Sequence, residues 1–216
     1  MDILGKWELV PGTSQEMTNP FSPPSSILTM SNPESGMEVF FGTQRFDVFR
    51  NPIDQKGSNI ESAEEFAKLV SEIGAIIAES FNLKINRLSF IGEYLFEDME
   101  EKEMSSIYNK LFKSTLNIKP KTSPAEWTYM NNVKSDFKIS GVNDALNSIL
   151  QLQRTKGKFL FPQDNSEFDR IFLQMDTNTI QENTDTRFNV KNFLECFEYF
   201  QSIHTDILKL TTNLFK

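Results

Sequence analysis

The sequence predicts an α+β fold, a curved and mainly antiparallel sheet with two long helices packed on one face. Two apolar stripes at helical spacing, over residues 60–81 and 189–215, supply the helices. Period-two segments precede each of them, and those strands follow one another with no helix between. Antiparallel pairing permits that order, whereas parallel crossovers would each need a helix.

Residues 11–26 carry four prolines among small polar residues and read as an irregular lead-in, with ordered structure expected from Ile27. Ile27–Ser31 reads as a short strand. Residues 37–50 read as a hairpin turning near Gly42-Thr43-Gln44, with Val39 and Phe41 sharing one face and Phe46 and Val48 sharing a face on the return. After a loop at Asn51–Ser58, Ser62 and Glu65 stand at capping-box spacing. Phe66, Val70, Ile73, Ile77 and Phe81 then form a helical stripe. Lys84–Glu97 alternates, with Leu88, Phe90, Tyr94 and Phe96 on one side and Arg87, Ser89 and Glu93 on the other. The acidic run Glu97–Glu103 leads into a shorter helix with a stripe of Met104, Ile107, Tyr108 and Leu111.

A Pro-containing link at Lys119–Pro124 opens the second half. Trp127–Phe137, Ala145–Thr155 and Phe168–Thr179 read as strands, separated by turns at Gly141–Asp144 and at Lys156-Gly157-Lys158. A polar loop, Asn178–Arg187, precedes the last helix, whose stripe is Phe193, Phe197, Phe200, Ile207, Leu208 and Leu214. The expected organisation is a lead-in over 1–26 and one domain over 27–216, built as two topologically similar halves, 27–118 and 125–216.

Twenty phenylalanines stand against one histidine and one cysteine in 216 residues. Apolar mass for packing is abundant, and the side chains that most often do chemistry are scarce. A Ser-His-Asp or Cys-His arrangement would have to use His204, and zinc would lack its usual ligands. No metal or cofactor site is expected, and only carboxylate-based chemistry or an oxygen-ligand cation site is easy to build. A net charge of −8 and a pI near 4.8 repel phosphate, so nucleic-acid binding is not expected. No apolar run approaches the ~20 residues that span a bilayer. The first six residues lack the character of a secretory signal, and the single Cys196 suits a reducing cytosol, so the expected location is cytoplasmic.

Among candidate sites, His204 falls beside the apolar stripe of the last helix and reads as a packing residue, as does Cys196. The run Glu97, Asp98, Glu100, Glu101 and Glu103 reads as a solvated helix start that complements the dipole, in preference to a cation site. Asp176-Thr177-Asn178 opens like a calcium loop, but lacks the glycine and glutamate such a loop needs. Arg87 and Glu93 project from one predicted strand face and Arg170 and Gln174 from another. If the helices cover the Leu88/Phe90 side, these four line the open face of the sheet, which becomes the candidate binding surface.

Three segments occur together in order: residues 39–48 (VFFGTQRFDV) before an amphipathic helix, residues 85–92 (INRLSFIG) after it, and Ile171–Asp176 followed by a long helix containing Ile203-His204. In this the chain resembles a family of sporadically distributed bacterial and archaeal proteins of unassigned function. It departs from that pattern at Phe90-Ile91-Gly92, where a further Arg-Tyr-like step belongs, and at Ile203 in place of Leu. The resemblance implies a prokaryotic, cytoplasmic α+β protein with the patchy distribution of defence (including antiviral) or toxin-related genes. It implies no reaction.

Together these readings favour a non-enzymatic interaction or regulatory subunit whose acidic surface meets a basic partner protein. A small-ligand sensor with a Phe-lined cavity is the alternative, and a carboxylate-based enzyme comes third. Self-association into a homo-oligomer is also left open.

Overall fold

A computed structural model describes residues 3–17, 19, 21, 23–112, 124–139, 141–161 and 165–216. The elements in chain order are α1 (Ile3–Lys6), β1 (Val10–Glu16), β2 (Ser25–Asn32), β3 (Met37–Phe41), β4 (Phe46–Arg50), α2 (Ala63–Ser80), β5 (Ser89–Leu95), α3 (Glu101–Leu111), β6 (Trp127–Ile139), β7 (Val142–Lys158), β8 (Glu167–Thr179) and α4 (Val190–Leu214). The fold is α+β and every strand pairing is antiparallel. The strands divide between two four-stranded sheets, ordered β1-β2-β3-β4 and β5-β8-β7-β6, in place of one sheet. Two compact units result: Met1–Ile76 with Leu160–Asn165, and Ile77–Phe159 with Ser166–Lys216. The division falls inside α2; of the link expected at 119–124, only Pro124 is among the described residues.

In the first unit, the segment expected to be irregular contains β1, and β2 begins before Ile27. Pro11 is tolerated because β1 is an edge strand, where a missing N–H need not break a ladder. The hairpin of β3 and β4 forms where the alternation placed it, with Val39 opposite Val48 and Phe41 opposite Phe46. Met37 and Val39 are fully buried. At α2, Glu65 accepts from Ser62 N at 3.0 Å while Ser62 Oγ accepts from Glu65 N at 3.2 Å, which is the reciprocal cap that the spacing requires. Asn82, at φ 49, ends the helix in the left-handed conformation, and Leu83 N donates to Ala78 O. Phe81 therefore lies beyond the last turn and is exposed.

The second unit is built on β5-β8-β7-β6. Gly157 was expected in a turn, yet β7 runs through it to Lys158. A β-carbon at Gly157 would lie 2.6 Å from the Phe168 ring, so the glycine makes room for the aromatic on the neighbouring strand. The turn at Gly141, φ +80, is shorter than expected, because Val142 already pairs with Ile139. One sheet face carries Phe90, Leu146, Leu152, Ile171, Leu173 and Met175, all buried. On that face pack Met104 and Ile107 of α3 and Phe193, Phe197 and Phe200 of α4. Burying a stripe of this kind is worth ~2 kcal/mol per large apolar side chain, which is what holds a helix of that length to its sheet.

Candidate functional site

The strand registers place Glu93, Arg170 and Gln174 on the sheet face turned away from α4, and Arg87, just before β5, contacts Asn178 on that face. Glu93 and Gln174 are direct cross-strand neighbours, and Gln174 Nε2 donates to Glu93 Oε1 at 2.7 Å. Arg87 reaches Asn178 Oδ1 at 3.4 Å. Arg170 is buried, with Nε and Nη2 on the two oxygens of Asp98 at 2.8 and 3.1 Å and its guanidinium 5.4 Å from the Phe159 ring. Arg170 is thus committed to a neighbour within the fold, and Glu93 and Gln174 to each other. Only Arg87 and Glu93 are exposed.

The acidic run behaves differently from a solvated helix end. Glu100 and Glu103 cap α3, while Asp98 and Glu101 reach out to the sheet. Arg154 on β7 is buried between Trp127 and Ile171, its direct neighbours on the helix-facing side. It grips Asp169 through Nε and Nη2, both at 2.8 Å, and Glu101 through Nη1 and Nη2 at 3.1 and 2.7 Å. Hydrogen bonds from Arg154 hold the carboxyls of Glu101 and Asp169 below the usual range, as those from Arg170 do for Asp98. With the remaining N–H on Nη1 donated to Pro124 O at 3.3 Å, the saturated network fixes strands and helix together and leaves no free donor on Arg154 for a ligand. Among the described residues no group of three or more His, Cys, Asp or Glu is placed to hold a metal ion.

A second surface, missed by the sequence reading, lies on the first sheet. Because Glu38 pairs with Phe49 and Phe40 with Asp47, these four side chains stand on one face as a checkerboard of two carboxylates and two aromatic rings. Phe40 and Phe49 meet edge to face, 5.5 Å apart and at 87°. With Glu16 and Ile27 they line an open pocket of about 450 Å³. Glu16 lies over Gly42, accepting from Thr43 N at 2.9 Å and from its hydroxyl at 2.6 Å, and those bonds lower its carboxyl pKa. Burial pushes the Asp47 carboxyl up, opposed by the Arg45 guanidinium 2.9 Å away. Glu38, half-buried, has no hydrogen bond or ion pair among the described residues. The signal was present in the hairpin: if Val39 and Phe41 face a core, Glu38 and Phe40 must face the other way.

Comparison with family models, with curated proteins and with solved structures finds no match. No helix among the described residues is long and apolar enough to cross a membrane.

Proposed function

We propose that this protein is a non-enzymatic protein-binding module, and that the pocketed face of its first sheet receives a basic segment of a partner protein. The observation that carries the reading is the checkerboard of Glu38, Phe40, Asp47 and Phe49, with the Glu38 carboxylate uncommitted. Ring faces attract a cation and carboxylates hold it by charge-assisted hydrogen bonds, so the four together suit a Lys or Arg side chain. The net charge of −8 steers such a partner toward the chain, at a rate that falls as salt screens the field. A regulatory or inhibitor subunit in a prokaryotic defence or toxin-related system is a setting that suits such a module.

Affinity capture from the source organism tests this, run side by side with the natural protein and with the double variant Glu38→Gln/Asp47→Asn. A basic partner recovered at near-equal stoichiometry by the natural protein, and at least ~10-fold less by the variant, supports the reading; charge-assisted contacts of this kind are worth ~1.5–3 kcal/mol each. Equal recovery by both would move the interaction to another surface. Turnover of a substrate by the purified protein would replace the reading with an enzymatic one.

A further inference from the structure

We propose that the free edge of β6 is a self-association surface, on which a second copy of this chain adds its own β6 antiparallel to the first. In the order β5-β8-β7-β6 this strand has, among the described residues, a sheet neighbour on one side only. Trp127 and Phe137 are buried and anchor its two ends, and Phe137 packs on Phe200 of α4 with ring centroids 5.6 Å apart. Between them, residues 130 to 136 are all solvent-facing except where β7 pairs with them. Met130 is 62% exposed on one face and Val133 is 52% exposed on the other. An extended strand already held straight at both ends, with a row of unpaired backbone donors and acceptors, is a template for a further strand.

Edge charges often serve to prevent such pairing. Here their spacing makes them self-complementary. In a two-fold pairing centred on Ser135, Lys134 of each copy stands opposite Asp136 of the other. Moving the centre by one residue puts Lys134 opposite Lys134, or Asp136 opposite Asp136, and like charges directly opposed destabilise a ladder. A pairing centred on Phe137 would oppose Asp136 and Lys138 but overlap only residues 135–139, whereas one centred on Ser135 overlaps 131–139; one centred on Val133 would overlap all of β6 but set neither Lys134 nor Asp136 against an opposite charge. Cross-strand charge pairing therefore selects the register centred on Ser135 over the longer but uncharged one, an isologous contact that closes on itself as a dimer. Edge pairing alone buries less than the ~1,200 Å² of a standard interface, so the dimer forms in a concentration-dependent way.

Sedimentation equilibrium over a micromolar to submillimolar dilution series tests the surface, with circular dichroism to confirm that each variant is folded. The natural chain is expected to pass from monomer to dimer across the series. Lys134→Glu and Asp136→Lys should each weaken the dimer by ~10-fold or more, since each replaces two attractive cross-strand pairs by two repulsive ones. The double variant Lys134→Glu/Asp136→Lys should restore the dimer, as should a mixture of the two single variants. A chain that stays monomeric throughout would overturn the proposal. So would a dimer indifferent to these reversals, or one that the double variant fails to restore. The outcome is separate from that of the Glu38 surface, which lies on the other sheet.

Discussion

Gly92 and His204 share one space: a β-carbon added at Gly92 would lie 3.0 Å from Nδ1 of His204. Gly92 is on the α4-facing side of β5, opposite Met175, and its missing side chain leaves the niche that the imidazole fills beside Phe90, with ring centroids 5.2 Å apart. His204 is only 3% exposed and its Nε2 has no hydrogen-bond partner among the described residues. Gly92→Ala should therefore destabilise by ~1–3 kcal/mol, even though alanine is the better strand residue, because the helix cannot yield without disturbing its neighbours. Urea denaturation of Gly92→Ala, His204→Ala and the double variant should show a coupling in which the second change relieves part of the first. Strict additivity would show that the two residues do not compete for space.

Acid should weaken the fold in two stages. Burial lowers the His204 pKa to about 4 from 6.5, with the Asp176 charge opposing the shift. Between those values the unfolded chain takes up a proton that the folded one refuses, so stability falls as pH drops through that window, by on the order of 3 kcal/mol in all. Below it the paired carboxyls of Asp98, Glu101 and Asp169 protonate first in the unfolded chain, and their contribution is lost as well. Denaturation midpoints measured from neutral pH downward should show the first decline, and His204→Leu should abolish it while leaving the second.

Phe200 is fully buried, 5.6 Å from the Phe137 ring and 6.1 Å from that of Phe197. Removing it opens a cavity between α4 and the sheet, so Phe200→Ala should cost ~3–5 kcal/mol. Phe81→Ala, at a residue beyond the end of α2 and 64% exposed, should stay within ~0.5 kcal/mol. Thermal melts of both variants check the contrast, and equal effects would mean that the stripes bury other residues.

Arg154→Lys should destabilise although it keeps the charge. A lysine cannot make the two-pronged contact to Asp169 and the second fork to Glu101. Arg154→Met fills the same volume but leaves Asp169 and Glu101 unpaired; both are partly solvated, which limits the loss to ~1–3 kcal/mol. Chemical denaturation of the two variants at neutral pH measures both effects, and an unchanged midpoint in Arg154→Lys would show that the fork geometry is immaterial.

Arg154 also shows how far pattern reading reaches. Its strand was legible, and so was its parity with Leu150 and Leu152, yet a charged residue in phase with apolar ones is ambiguous until its partners are known. Those partners, Glu101 and Asp169, are distant in sequence, and one belongs to an acidic run that read as solvated. Arg170 presents the same problem on the other face, where Asp98 and Phe159 take up a side chain that the sequence offered as a binding residue.

The local elements were fixed by short-range physics. The Ser62/Glu65 cap, the stripes of α2 and α4, the alternation in β3, β5 and β8 and the antiparallel class all follow from residue spacing, because hydrogen-bonding geometry within a helix or between adjacent strands repeats every few residues. Tertiary structure alone decided that the strands form two sheets, that Pro11 lies in an edge strand and that Gly157 gives way to Phe168. It likewise decided that the face carrying Glu38, Phe40, Asp47 and Phe49 stays open while Arg154 is buried with its guanidinium held by two carboxylates. Each of these depends on which distant segments pair or pack, and cross-strand neighbours and buried ion pairs have no fixed separation along the chain.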